Sequence, residues 1–186
     1  MTTTLPHVAV LMGGWSAERE VSLVSGAGIV KALQEKGCKV TAIDVQRDID
    51  SLLRAMNPRP DVVFNALHGR GGEDGCVQGL LEFMHIPYTH SGVLASAVAM
   101  NKSMAKKIVG AAGVPVAAEV IATREEVQSR DVMPVPYVVK PIDEGSSVGV
   151  RIIHEGSNYR LLAEDSWIYG DQVMVEPYIP GRELTV

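Results

Sequence analysis

The sequence predicts an α/β protein, with an N-terminal doubly wound parallel-sheet domain followed by a small α+β domain. Two observations carry this. Compact apolar runs alternate with stretches of helical period through the first third of the chain, as strand and crossover helix do in a parallel sheet. Later the pattern changes: Val138 to Val150 reads strand, polar loop, strand, the mark of an antiparallel hairpin.

Taken in order, His7 to Met12 is a short apolar strand running into Gly13-Gly14-Trp15-Ser16. Ala17 to Lys36 is a helix in which Leu23, Ala27, Val30 and Leu33 recur at helical spacing, with Ser16 as candidate N-cap and Gly37 as stop. Lys39 to Asp44 is a second strand and Ile49 to Met56 a short helix; Asp61 to Leu67 is a third strand after the breaker Asn57-Pro58-Arg59-Pro60. The turn after the first strand lacks the Gly-x-Gly-x-x-Gly dinucleotide fingerprint, so no nicotinamide site is assigned.

Beyond the third strand lies His68-Gly69-Arg70-Gly71-Gly72-Glu73-Asp74-Gly75, with four glycines in eight residues. His68, Arg70, Glu73 and Asp74 fall past a strand's carboxyl end, where α/β folds place ligands; His68 also fits an ordinary or structural loop histidine. Val77, Leu80, Leu81 and Met84 then mark an amphipathic helix. Ile86 to Thr89 reads as a short strand, and Ser91 to Ala111 as helix with a candidate break near Asn101. The domain boundary is placed here, so that residues 1–100 form a first domain and a second follows. In the second, Glu119 to Ala122 is a strand, Glu125 to Ser129 a short helix, Tyr159 to Trp167 helical by pattern, and Gln172 to Glu176 a further strand.

The hairpin loop suits an anion. Gly145 frees the backbone to turn, N–H groups and the Ser146 and Ser147 hydroxyls can donate to phosphate oxygens, and Lys140 supplies positive charge. The same spacing fits an ordinary surface hairpin with its lysine in water.

Composition bounds the partners. Hydrophobic content of 46% suffices for a core, and a net charge of -5 with dispersed lysines and arginines argues against nucleic acid or an anionic membrane. Met1 to Pro6 lacks signal-peptide character and no apolar run reaches the length of a membrane span, so a cytoplasmic protein is expected. Cys38 and Cys76 lack metal-ligand or redox spacing and are expected to be free thiols.

Four motifs together carry a resemblance: Gly13-Gly14-Trp15-Ser16-Ala17-Glu18-Arg19-Glu20-Val21-Ser22; Ala66-Leu67-His68-Gly69-Arg70-Gly71-Gly72-Glu73-Asp74-Gly75; Val139-Lys140-Pro141 through Glu144-Gly145-Ser146-Ser147-Val148-Gly149; and Glu176 with Glu183. In order and separation they are similar to the successive motifs of the D-alanine–D-alanine ligases. The resemblance implies the N-terminal domain, 1–100, and the small central domain, 101–180, of an ATP-grasp fold, with the C-terminal domain starting at 181–186 and otherwise missing from the chain. It further implies an ATP-dependent enzyme that joins two D-alanines through an acyl phosphate for peptidoglycan precursors, commonly as a homodimer.

Residue by residue, the resemblance places Lys102 and Lys140 on the nucleotide phosphates, and closes Glu144, Gly145, Ser146 and Ser147 over the γ-phosphate. Glu176 opens a hinge whose Pro177 C=O and Ile179 N–H read the adenine edge, and Glu183 takes the ribose hydroxyls. Glu18 is matched to the first D-alanine's ammonium and linked to Ser146, with His68 near the same substrate. A capping acid that only steadies the helix is the alternative for Glu18. The magnesium ligands are expected beyond residue 186, so these residues alone are expected to be inactive. Two departures stand out: Trp15, where the family carries something smaller or more polar, and Asp143, where a basic residue is common. D-alanine–D-lactate or D-serine ligation, and a shortened nucleotide-binding protein without activity, are the alternatives.

Overall fold

The computed structural model describes residues 5–156 and 170–184; the helix read over Tyr159 to Trp167 lies outside them. The chain divides into two compact units, Met1–Met100 and Asn101–Val186.

The first unit is built on three parallel strands in the order β2-β1-β3, with β1 at His7–Gly13, β2 at Lys39–Val45 and β3 at Val62–Asn65. Helix α1, Arg19–Glu35, links β1 to β2, and α2, Ile49–Ala55, carries the chain back across β1 to β3. The two crossovers run in opposite directions along the sheet, so right-handedness sends the helices to opposite faces. Packing agrees. Val8 and Val10 of β1 join Ile29, Val30 and Leu33 of α1, whereas Ala9 and Leu11 join Leu52, Met56, Val77 and Leu81 on the other face. A central strand buried on both sides has little room for polar residues, hence the continuous apolar run of β1.

Several details differ from the sequence reading. Ser16 does not cap α1; Glu18 occupies the N-cap position, and its side chain makes no capping hydrogen bond. Val30 and Leu33 of the expected stripe pack on the sheet, but Ala27 is exposed, while Ser22 and Gly26 are buried. Gly26 lets the helix lie close on the sheet, since an added Cβ would stand 2.4 Å from the Met12 Cβ. Ser22, polar but fully buried, is satisfied by accepting from Gly13 N–H at 2.9 Å and donating to Ala66 C=O at 2.6 Å. Apolarity alone therefore misses Ser22 and Gly26, the two residues of α1 that are buried.

After β3, α3 at Cys76–Phe83 packs through Val77 and Leu81, with Leu80 and Met84 at the margin. The strand expected over Ile86 to Thr89 contracts to a single parallel bridge between Val63 and Tyr88, with Pro87 unable to donate to a ladder. The helical region is broken at Asn101. Helix α4, Val93–Met100, ends there, and the Asn101 side chain accepts from Met104 N–H at 3.0 Å to start α5, Lys102–Ala111.

The second unit holds an antiparallel sheet in the order β4-β7-β5-β6: β4 at Val120–Thr123, β5 at Tyr137–Pro141, β6 at Arg151–Ile153 and β7 at Gln172–Pro177. Helix α6, Arg124–Ser129, opens with a capping box between Thr123 and Glu126. Alternation divides the sheet's faces. Tyr137, Val139, Ile153, Val173 and Val175 form one core with Ala122 and Val127, which leaves Lys140 and Glu176 on the opposite side.

Candidate active site

In the first unit the candidate site sits where the strand order reverses, between the carboxyl ends of β1 and β3. Ser22 ties these two ends together from beneath. The turn leading into α1 is fixed by Arg19, whose guanidinium donates to Gly14 C=O at 3.0 Å and forks onto both Asp44 oxygens at 2.8 Å. The Arg19 hydrogen bonds hold the Asp44 carboxyl below its usual range. Ser16 crosses to the neighbouring loop, its hydroxyl donating to His68 C=O at 2.7 Å.

That loop is braced internally. Glu73 accepts from Gly69 N–H at 2.7 Å, and Asp74 from Gly71 N–H at 2.7 Å and Cys76 N–H at 3.0 Å. Burial would raise the Asp74 carboxyl, but these donors outweigh it and bring it down. Two of the loop acids thus hold its shape. Gly69, at φ 67°, lies so near the first turn that a Cβ would stand 3.1 Å from Glu18 Oε2. The half-buried Glu18 carboxylate itself accepts no hydrogen bond and joins no ion pair among the described residues. A half-buried carboxylate left open at a helix N-terminus is suited to a cationic ligand, which a purely capping acid would not be. His68 completes this corner, its Nε2 3.3 Å from Ser25 Oγ and its Nδ1 3.9 Å from Glu73 Oε1. Trp15 turns outward, its ring against Gly71.

In the second unit, α5 places Lys102 and Lys106 one turn apart over the polar face of β5 and β7. Lys106 pairs with Glu176 Oε1 and, at 3.2 Å, with Glu119 Oε2; Lys140 pairs with Glu176 Oε2. Glu119 also accepts from Ser103 Oγ at 2.6 Å. Lys140 is therefore a part-buried strand residue within a polar network, not a hairpin lysine pointing into water. Burial would raise the Glu176 carboxyl, yet the hydrogen bonds and charges of both lysines hold it below its ordinary value. Lys102 donates to Glu144 C=O and so ties α5 to the serine loop. Burial first, then the like charge of Lys140, lowers the Lys102 ammonium's pKa, with Asp143, Glu144 and Glu176 partly offsetting both.

Within the loop Ser146 adopts a left-handed backbone, φ 52°, and both serines are exposed. Past β7, Tyr178 N–H donates to Pro136 C=O at 3.0 Å. The Tyr137–Pro177 pair is accordingly the non-hydrogen-bonded kind, and the Pro177 carbonyl points away from β5. Pro177, Ile179 and Glu183 are exposed.

Two family models match the chain in succession: D-ala D-ala ligase N-terminus over residues 7–57 and 50–91, and D-ala D-ala ligase C-terminus over residues 108–186. The chain belongs to the D-alanine–D-alanine ligase family. The D-alanine–D-alanine ligase of Parvibaculum lavamentivorans is 59% identical over 182 residues, covering 96% of this chain and 58% of that protein. That of Granulibacter bethesdensis is 55% identical over 183 residues, covering 98% and 60%. Among solved structures, the D-alanine–D-alanine ligase of Bacillus anthracis superposes with a TM-score of 0.79 at 32% identity, over 96% of this chain and 59% of the other. The same enzyme complexed with ATP gives 0.78 at 30% identity, over 96% and 58%. The chain spans less than two thirds of the length of these ligases.

The structure thus gathers Glu18 and His68 in the first unit, and Lys102, Lys140, Glu144 and Glu176 in the second. Sequence reasoning missed Lys106 and Glu119. A signal existed for Lys106, since Lys102 and Lys106 are spaced i, i+4 and share a helix face. Among the described residues there is no group of three or more His, Cys, Asp or Glu side chains that could hold a metal ion. None of their helices is long and apolar enough to cross a membrane.

Proposed function

We propose that the intact gene product is a cytoplasmic, homodimeric D-alanine–D-alanine ligase, in which this chain supplies the first D-alanine pocket and one wall of the ATP site. The open Glu18 carboxylate beside His68 supports the reading most directly. A carboxylate is a poor electrophile, so the γ-phosphoryl of ATP is first passed to an oxygen of the first D-alanine's carboxylate, and ADP leaves. The second D-alanine's amine then attacks the acyl carbon. A C–N bond forms, the C–O bond to phosphate breaks, phosphate departs and the amine sheds a proton.

Each residue has a task in that sequence. Glu18 pairs with the first ammonium, and His68 orients the carboxylate that is to be phosphorylated. Lys102 and Lys140 meet the nucleotide phosphates. An arriving phosphate adds to the counter-charge that Asp143, Glu144 and Glu176 only partly supply to Lys102. Glu144, Gly145, Ser146 and Ser147 close over the γ-phosphate and keep water from the acyl phosphate. Pro177 C=O, which points away from β5, and Ile179 N–H, past the end of the β5 ladder, read the adenine edge, and Glu183 takes the ribose. Glu176 anchors the lysines of that wall.

The test is ADP formation by the intact gene product with D-alanine, D-lactate or D-serine offered as second substrate, and identification of the product by mass. D-alanyl-D-alanine is expected. ADP release indifferent to D-alanine, or none, would overturn the reading. Sedimentation checks the dimer.

A further inference from the structure

Apart from the candidate site, the first unit contains a cavity on the α2–α3 side of the sheet, with a volume of about 340 Å³. Its wall is apolar: Ile49, Leu52, Leu67, Val77 and Leu80, with Trp15 along one side. Trp15 and Ile49 remain 44% and 58% exposed, although both border a concave surface. The size falls at the low end of the range for small-molecule sites, about 300–1,000 Å³.

The mouth is polar, and its groups are not equivalent. Asp48 caps α2, accepting from the N–H groups of Asp50 and Ser51 and from the Ser51 hydroxyl. Gln46 donates to Asp44 at 3.0 Å, and Cys76 lies beside Asp74, whose hydrogen bond and charge push its thiol up. Arg47 alone of these four makes no hydrogen bond or ion pair among the described residues, and it lines the same cavity. An apolar cup beneath one uncommitted guanidinium is complementary to a molecule with an apolar body and a single acid.

We propose that this cavity is a binding site for a small amphipathic carboxylate, its apolar body against Trp15 and Leu80 and its acid on Arg47. Binding there has a consequence for the neighbouring site. The Trp15 ring presses on Gly71, where an added Cβ would fall 2.3 Å from the ring, and these two residues sit in the loops that carry Glu18 and His68. An occupant therefore bears on both loops from behind. This coupling rests on the proposed function, whereas the binding itself does not.

The probe is 4-phenylbutyrate, compared with 4-phenylbutanol and 4-phenylbutylamine, which keep the body and change the charge. Trp15 emission is followed in a Trp167→Phe protein. Independently, iodoacetamide labelling of Cys76 is followed in the unaltered protein, with the half-buried Cys38 as internal reference. The expected result is a saturable change in emission and slowed labelling of Cys76 alone, with affinity falling from acid to alcohol to amine. Arg47→Gln should weaken the acid by about two- to fivefold, as for an exposed charge pair, and leave the alcohol unchanged. Ile49→Trp, at an exposed position that tolerates exchange, should fill the cup and abolish binding. Equal affinity for the three probes, labelling insensitive to the acid, or an unchanged Arg47→Gln protein would each overturn the site. Because neither readout involves ATP or D-alanine, failure here is distinguishable from failure of the ligase reading.

Discussion

Lys140 and Glu176 form an ion pair between adjacent strands, although the ladder sets Val138, not Lys140, opposite Glu176. The pair is thus diagonal across the β5–β7 ladder. Glu176 is shared with Lys106 of α5, so one carboxylate joins two strands and a helix. The positive wall proposed for the nucleotide is consequently also a structural joint of the second unit.

Lys140→Met should act on both roles. Glu176 keeps Lys106, so the protein should still fold, with a modest fall in Tm. In the intact gene product, affinity for a non-hydrolysable ATP analogue should drop by at least tenfold, because a desolvated charge-assisted contact is lost. Calorimetric titration beside a thermal melt checks this. A large loss of Tm with unchanged affinity would make Lys140 structural only.

Glu176→Gln should be more damaging to stability. It leaves Lys106 and Lys140 facing a neutral amide, and breaking a buried pair costs about 3–5 kcal/mol, with the lower end expected because Glu119 still serves Lys106. The pH dependence follows from the sign of the shift. Glu176 is held below its ordinary 4.5, so its stabilisation is fully present above that pH and is lost as pH falls through the depressed folded value. Acid titration of stability should therefore be shallower below about pH 4.5 in Glu176→Gln than in the parent.

Gly13→Ala should disturb the turn into α1. Gly13 has φ 82°, and an added Cβ would meet Asp44 Oδ1 at 2.2 Å and Arg19 Nη1 at 2.6 Å. The left-handed backbone alone costs about 1–2 kcal/mol, and the Arg19–Asp44 fork must shift as well. Chemical denaturation should show at least that loss. Arg19→Lys, which keeps the charge and loses the fork, should show less.

Much of the fold was legible because it rests on periodicity. The β1–α1–β2–α2–β3 order, the break at Asn101 and the β5–β6 hairpin each follow from runs, caps and breakers that local physics fixes. Where a tertiary partner decides, the sequence was silent. Ser22 and Gly26 read as poor core residues until Ala66 and Met12 are seen above them. The Arg19–Asp44 fork joins residues with no sequence relation. Of the candidate site, the motifs exposed Glu18, His68 and Lys140 and the family resemblance Lys102; the i, i+4 spacing set Lys106 on the face of Lys102, but nothing local showed that Lys106 and Glu119 share the carboxylate network of Glu176.

The central claim is that Glu18 receives the first D-alanine's ammonium, and steady-state kinetics of the Glu18→Gln intact gene product test it most directly, with D-alanine and ATP varied separately. The amide keeps the size and removes the charge. A charge-assisted contact exchanged for a neutral one loses typically about 1–3 kcal/mol, or roughly five- to 150-fold in the affected constant. The KM for the first D-alanine should rise by that order, with the KM for ATP little changed and the melting temperature unaltered, since the side chain caps nothing. Parental D-alanine kinetics in Glu18→Gln would remove Glu18 from the site and contradict the account.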